Sequence, residues 1–179
     1  MKIKFLILLI FTSFSSILYS QATGKIYATI KQVKKESKDL RKYIEKTASS
    51  ETYKNRNLYA SKVESKTKKF IIVLKKAQKT AITYQRNLKE NNKPYYEKLR
   101  QPLADLQYLL YRSFDILDQL TIFTNRFKNT KNYNTRKKYY KNIRENYNGF
   151  ASNLAKAEKK LVDIIKARSL LIYENEKNH

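Results

Sequence analysis

Residues Phe70–Leu88 read FIIVLKKAQKTAITYQRNL. Phe70, Leu74, Ala77, Ala81, Tyr84 and Leu88 recur at steps of three and four, while Lys75, Lys76, Lys79 and Arg86 fall between them. Steps of that size return to one side of a helix with 3.6 residues per turn, so the stretch is amphipathic and carries a single apolar stripe. The rhythm runs backwards through Thr67, Val63 and Ala60 without a slip. Alternating threes and fours sum to seven, the repeat of helices that pack side by side along their length.

The same spacing recurs in the rest of the chain. Before this stretch, Ile26, Ile30, Val33, Leu40 and Ile44 keep it, with Ser37 filling one seat. After it come Leu99, Leu103, Leu106, Leu110, Leu117, Leu120 and Phe127, widened by Leu109, Phe114, Ile116 and Phe123. A last register seats Tyr140, Ile143, Tyr147, Phe150, Leu154, Ala157, Leu161, Ile164 and Leu171. Thr47–Ser50, Asn91–Pro94 and Lys128–Asn134 break the pattern, and only two glycines and two prolines occur in 179 residues. So little punctuation suits a mostly helical body.

The expected helices are therefore about 25–46, 51–91, 94–128 and 135–173, forming one domain over 23–173 with a frayed tail at 174–179. Ser50 can cap the second, and Asn134 or Thr135 the fourth. Pro102 either sits near a true helix start, with Tyr95–Arg100 a separate short turn, or kinks a helix begun near Pro94, and the kink is favoured. Asn148-Gly149 is a weak point inside the fourth helix. The fold class that follows is all-α: an elongated antiparallel up-down four-helix bundle with coiled-coil-like heptad packing, its first helix shorter than the others. That short helix would leave one end of the rod three-stranded, where apolar residues could recruit a partner.

Residues 1–22 read as a secretory signal peptide. Met1-Lys2-Ile3-Lys4 is basic, Phe5–Phe11 is apolar, and Ser20-Gln21-Ala22 offers small residues for cleavage after Ala22. The apolar run is far short of the ~20 residues needed to span a bilayer. The expected location is extracytoplasmic, periplasmic or secreted. No cysteine is present, so packing alone must hold the domain.

The full sequence has 39 Lys+Arg against 15 Asp+Glu, a formal charge of +24, which becomes +22 once Lys2 and Lys4 leave with the leader. Such an excess attracts polyanions and opposes compaction. The third segment is the most apolar and least basic. It is expected to be the helix most surrounded by the others, with the remaining three showing positive outer faces.

Catalytic chemistry is scarce. The single histidine is the last residue, His179, which removes histidine-based acid–base, nucleophilic and metal chemistry. No glycine-rich phosphate loop exists, and Asp115 and Asp118 stand among lysines, so an ion-pairing role is expected of them. No cofactor, no metal and no enzymatic activity are expected. Two basic-aromatic runs carry the binding chemistry instead. Thr135–Arg144, TRKKYYKNIR, places Arg136, Lys137, Lys138, Lys141 and Arg144 around two tyrosines, and a second group is Lys66, Lys68, Lys69, Lys76 and Lys79. Cations interleaved with aromatics suit phosphate backbones and lipid headgroups. The expected partner is an anionic polymer, membrane surface or acidic protein: anionic lipid, lipopolysaccharide or nucleic acid are candidates. A scaffold or chaperone-like subunit of an envelope complex, or a homo-oligomer, is the alternative.

Overall fold

The structure, a computed structural model, describes the backbone of residues 2–177 and the side chains of 21–174 and 177. Four helices account for the described residues: α1 (Lys2–Ser49), α2 (Tyr53–Asn91), α3 (Lys93–Asn129) and α4 (Tyr133–Lys177). Each packs antiparallel on its neighbour in sequence, and α1 closes the ring against α4. At 1.5 Å per residue the 39 residues of α2 run about 58 Å, so the bundle is a rod.

The heptad seats are the core. All the α2 positions from Ala60 to Leu88 named above are buried, as are the expected aliphatic seats of α1 and α3 and Ser37. On α4 the register holds from Ile143 to Leu171, while Tyr140 and Tyr147 stay half-buried at its edge. Phe70 of α2 and Phe150 of α4 stack across the centre with ring centroids 6.1 Å apart, joining helices that share no direct seam. Each fully buried leucine contributes roughly 1.5–3 kcal/mol by leaving water.

Small polar residues occupy some seats, and each has a local outlet. Ser113 donates to the Leu109 carbonyl at 2.7 Å and Thr124 to that of Leu120 at 2.8 Å. Thr67 and Thr121 meet across the α2–α3 seam at 2.9 Å. Each of the two hydroxyls also lies 2.9 Å from a carbonyl of its own helix, that of Glu64 or Leu117.

The helix ends differ from the expected ones in informative ways. Ser50 does not cap α2: its hydroxyl bonds back to the Lys46 carbonyl and finishes α1, and Thr52 accepts from the Asn55 amide at 3.2 Å instead. Asn132, not Asn134 or Thr135, caps α4, taking both the Thr135 amide (2.9 Å) and its hydroxyl (3.1 Å). The α2–α3 turn is one residue long. Asn92 donates its amide to the Leu88 carbonyl at 2.8 Å and accepts from the Tyr95 amide on its side chain at 3.3 Å, so it ends one helix and begins the next. Pro94 sits in the first turn of α3, where a missing donor costs nothing, and Pro102 lies inside an unbroken helix.

Two further expectations change. The first helix does not begin near residue 25 but runs continuously from Lys2. At 48 residues it is the longest of the four helices and not the shortest, against 39, 37 and 45 for the others. The proposed leader, and with it the processing near Ala22, falls almost wholly where no side chains are described. The tail does not begin at 174: α4 continues to Lys177, and His179 lies outside the described residues. As expected, α3 is the helix packed most extensively by the others, through its seams with α2 and α4, yet it too keeps a free side. In a ring each helix keeps one outward side, and on α3 that side shows Tyr108 (61% exposed), Tyr111 and Ile122.

Candidate anion-binding surface

The run Arg136–Arg144 forms the first turns of α4. Lys137, Lys138, Lys141 and Arg144 are exposed and Arg136 is half-buried, while Tyr139 and Tyr140 pack against the core. The tyrosines are thus held rings rather than free stacking platforms. Lys137, Lys141 and Arg144 follow one another at steps of four and three, which puts them on the side of α4 that meets α1. Lys141 reaches Glu145 at 3.8 Å, and the Arg144 guanidinium lies 6.0 Å from the Tyr140 ring centre.

The second group is divided by its neighbours. Lys66 bonds Glu36 at 2.8 Å and lies 3.9 Å from Asp39; Lys69 is 3.7 Å from Glu36; Lys68 bonds Glu64 at 2.9 Å. These three stitch α2 to α1 or to itself. The Lys66 ammonium, helped by the Gln32 amide, holds the Glu36 carboxyl at about 2 rather than 4.5, and Lys68 lowers that of Glu64. Lys76 and Lys79 are exposed and have no acidic partner within 4 Å among the described residues. Because α2 and α4 stand diagonally in the ring, the two groups do not merge into one patch. Helix α1 stands between them.

That helix completes the surface, and its part was visible in the spacing though not singled out. Lys31, Lys35, Lys38 and Lys42 recur at steps of four, three and four, and all are exposed. The acids of α1 are turned aside: Glu36 and Asp39 toward α2, Glu45 onto Arg41 at 2.9 Å. Lys35, Lys38 and Lys42 have no acidic partner within 4 Å among the described residues. Toward α4, Lys34 pairs with Glu158. A shallow cleft of about 290 Å³ opens between α1 and α4, walled by Arg41 and Arg144 and floored by Ile44, Tyr140 and Tyr147.

The opposite side of the rod differs in kind. The exposed side of α3 mixes Tyr108, Tyr111 and Ile122 with Arg112, Asp118 and Arg126, and Asp105 bonds Lys160 at 3.0 Å, which lowers the Asp105 carboxyl. Charge therefore changes around the circumference.

No family model matches this chain, and no curated protein or solved structure does either. The surface has to be read from its own chemistry. Among the described residues no group of His, Cys, Asp and Glu is placed to hold a metal ion, and no helix is long and apolar enough to cross a membrane. What the arrangement offers is a row of solvated ammonium groups, flanked by guanidiniums, on a stiff support. Such a row neutralises a line of phosphates and releases their counterions.

Proposed function

We propose that the chain is an exported, non-catalytic helical rod that holds a phosphate-bearing polymer or surface against its α1-centred face. The observation that carries this reading is the sidedness of the charge. Lys31, Lys35, Lys38 and Lys42 form an outward row on α1, flanked by Lys76 of α2 and by Lys137, Lys141 and Arg144 of α4, whereas the exposed side of α3 mixes the cations Arg100, Arg112 and Arg126 with the acids Glu97 and Asp118 and with Tyr108, Tyr111 and Ile122. Compositional lysine excess alone would coat all four helices alike. A straight face of this kind meets a flat or linear anion along many points at once, and the many weak contacts add.

The test is retention of the processed protein on heparin and on anionic vesicles across a salt series. The variant Lys35→Glu/Lys38→Glu/Lys42→Glu should elute at much lower salt, with a slope of log affinity against log salt shallower by about 2–3. The control Arg112→Glu/Arg126→Glu/Lys159→Glu changes the charge equally on the α3–α4 side and should matter far less. Equal losses in the two variants, or no retention of the parent protein even at low salt, would overturn the proposal.

A second reading has its own observation. Ile72 (57% exposed) and Ile82 (40%) of α2 and Tyr111 of the adjacent α3 are exposed apolar side chains, with the Phe114 ring edge-on to Tyr111 at 5.2 Å. Exposed apolar side chains of this kind favour a partner-binding subunit. Complexes that survive high salt, captured from the cell envelope and lost on Ile72→Lys/Tyr111→Lys, would favour it over the electrostatic reading.

A further inference from the structure

We infer that the α1–α4 cleft is a discrete subsite for one phosphoryl group, clamped between Arg41 and Arg144. This rests on the reading above and deepens it: the row of ammonium groups supplies a general field, and the cleft supplies recognition. Arg41 and Arg144 come from facing helices and line the same cavity. Arg41 spends its Nε–H on Glu45 Oε1 at 2.9 Å, which leaves the donors on its two terminal nitrogens. Arg144 makes no hydrogen bond to an acceptor among the described residues, and its guanidinium is steered by the Tyr140 ring. The Asn148 side chain lines the cleft one turn further on and likewise makes no hydrogen bond to another described residue.

Tyr147 fixes the floor. Its hydroxyl donates to the Ser37 carbonyl at 3.2 Å, so the ring spans from α4 to α1 and holds the two walls at one spacing. A carboxylate is planar and can be satisfied by a single guanidinium fork. A tetrahedral phosphoryl group presents oxygens in several directions, and donors on opposite walls plus a side-chain amide suit it better. Glu45 is a built-in competitor: it leaves the cleft at a net charge of +1, so that the arrangement of donors, more than bulk charge, selects the ligand.

The experiment is a titration of the full processed chain with inorganic phosphate, followed by nitrogen NMR of the Asn148 side-chain amide and the arginine Nε groups. Saturable shifts confined to Asn148, Arg41 and Arg144 are expected. Arg144→Gln should weaken phosphate by about 10–100-fold, Arg144→Lys should recover only part of that, and Glu45→Gln should tighten binding. Lys35→Glu/Lys42→Glu should leave the cleft shifts in place. Circular dichroism checks that each variant folds, which the exposure of both arginines favours. Two further arms identify the source of the phosphate: vesicles containing phosphatidylglycerol, and a single-stranded oligonucleotide. The arm whose binding falls in Arg41→Gln/Arg144→Gln names the ligand that enters the cleft.

Phosphate shifts spread evenly over lysines on every face, or affinity unchanged in Arg144→Gln, would overturn the subsite. Polyanion retention that persists in Arg41→Gln/Arg144→Gln without saturable phosphate shifts would overturn it while sparing the wider basic face. Saturable phosphate binding without polyanion retention would do the reverse.

Discussion

Gly149 lies within α4, in right-handed backbone, where a Cβ would meet only Ile116 Cδ1 at 3.7 Å, an ordinary contact. Glycine there costs helix stability and gains no conformational freedom that the fold uses. Gly149→Ala should stabilise by about 1 kcal/mol and raise the melting temperature by about 2–4 °C, checked by thermal denaturation. Glu36 makes a pH prediction. Its folded value of about 2 lies below its ordinary 4.5, so its pairing with Lys66 contributes fully above 4.5 and is lost as pH falls toward 2. Glu64 and Asp105 are lowered as well and act in the same sense. Urea melts between pH 5 and 2 should show Glu36→Gln with a flatter acid limb than the parent. Single seats were legible in the sequence because burial repeats every heptad; even Ser37 reads as core. Caps were not. Ser50 and Thr52 are both good cap residues, and the choice between them depends on where α1 stops, which is a matter of packing and not of local chemistry.

Among the elements, α3 shows where pattern reading runs short. Its apolar surplus marked it as the helix most surrounded by the others, and it does pack most extensively, yet a ring leaves every helix one free side, where part of the surplus surfaces as Tyr108, Tyr111 and Ile122. Composition reports how much a helix buries in total but not which of its sides is left over. Pro102 is a second case. It sits inside α3, lacks the amide that would bond the Lys98 carbonyl, and is tolerated because packing on both flanks holds the helix. Pro102→Ala restores that bond and should stabilise by roughly 1–3 kcal/mol, measured by the shift in urea midpoint at constant slope. The candidate site was half legible at this scale. The basic runs on α2 and α4 are plain in the sequence, but only the ring order shows that they are diagonal, that acids of α1 and α2 occupy three of the α2 lysines, and that α1 joins the remainder.

For the molecule as a whole, the formal charge of +24 makes salt act in two opposite directions. Screening relieves self-repulsion across a few Debye lengths, so the melting temperature should rise between 10 mM and about 300 mM salt. Over the same range affinity for a polyanion should fall. A protein whose cations served only solubility would show the first trend without the second, and paired calorimetry and binding curves decide between them. The order of helices has a kinetic corollary. Three seams join segments adjacent along the chain and can zip from their short turns, the tightest being the single residue Asn92. The α1–α4 closure alone brings together distant segments, so it should form late in folding and open first. An anion bridging Arg41 and Arg144 would then act as a latch on the hoop, visible as slowed amide hydrogen exchange in α1 that spreads well beyond the residues it touches.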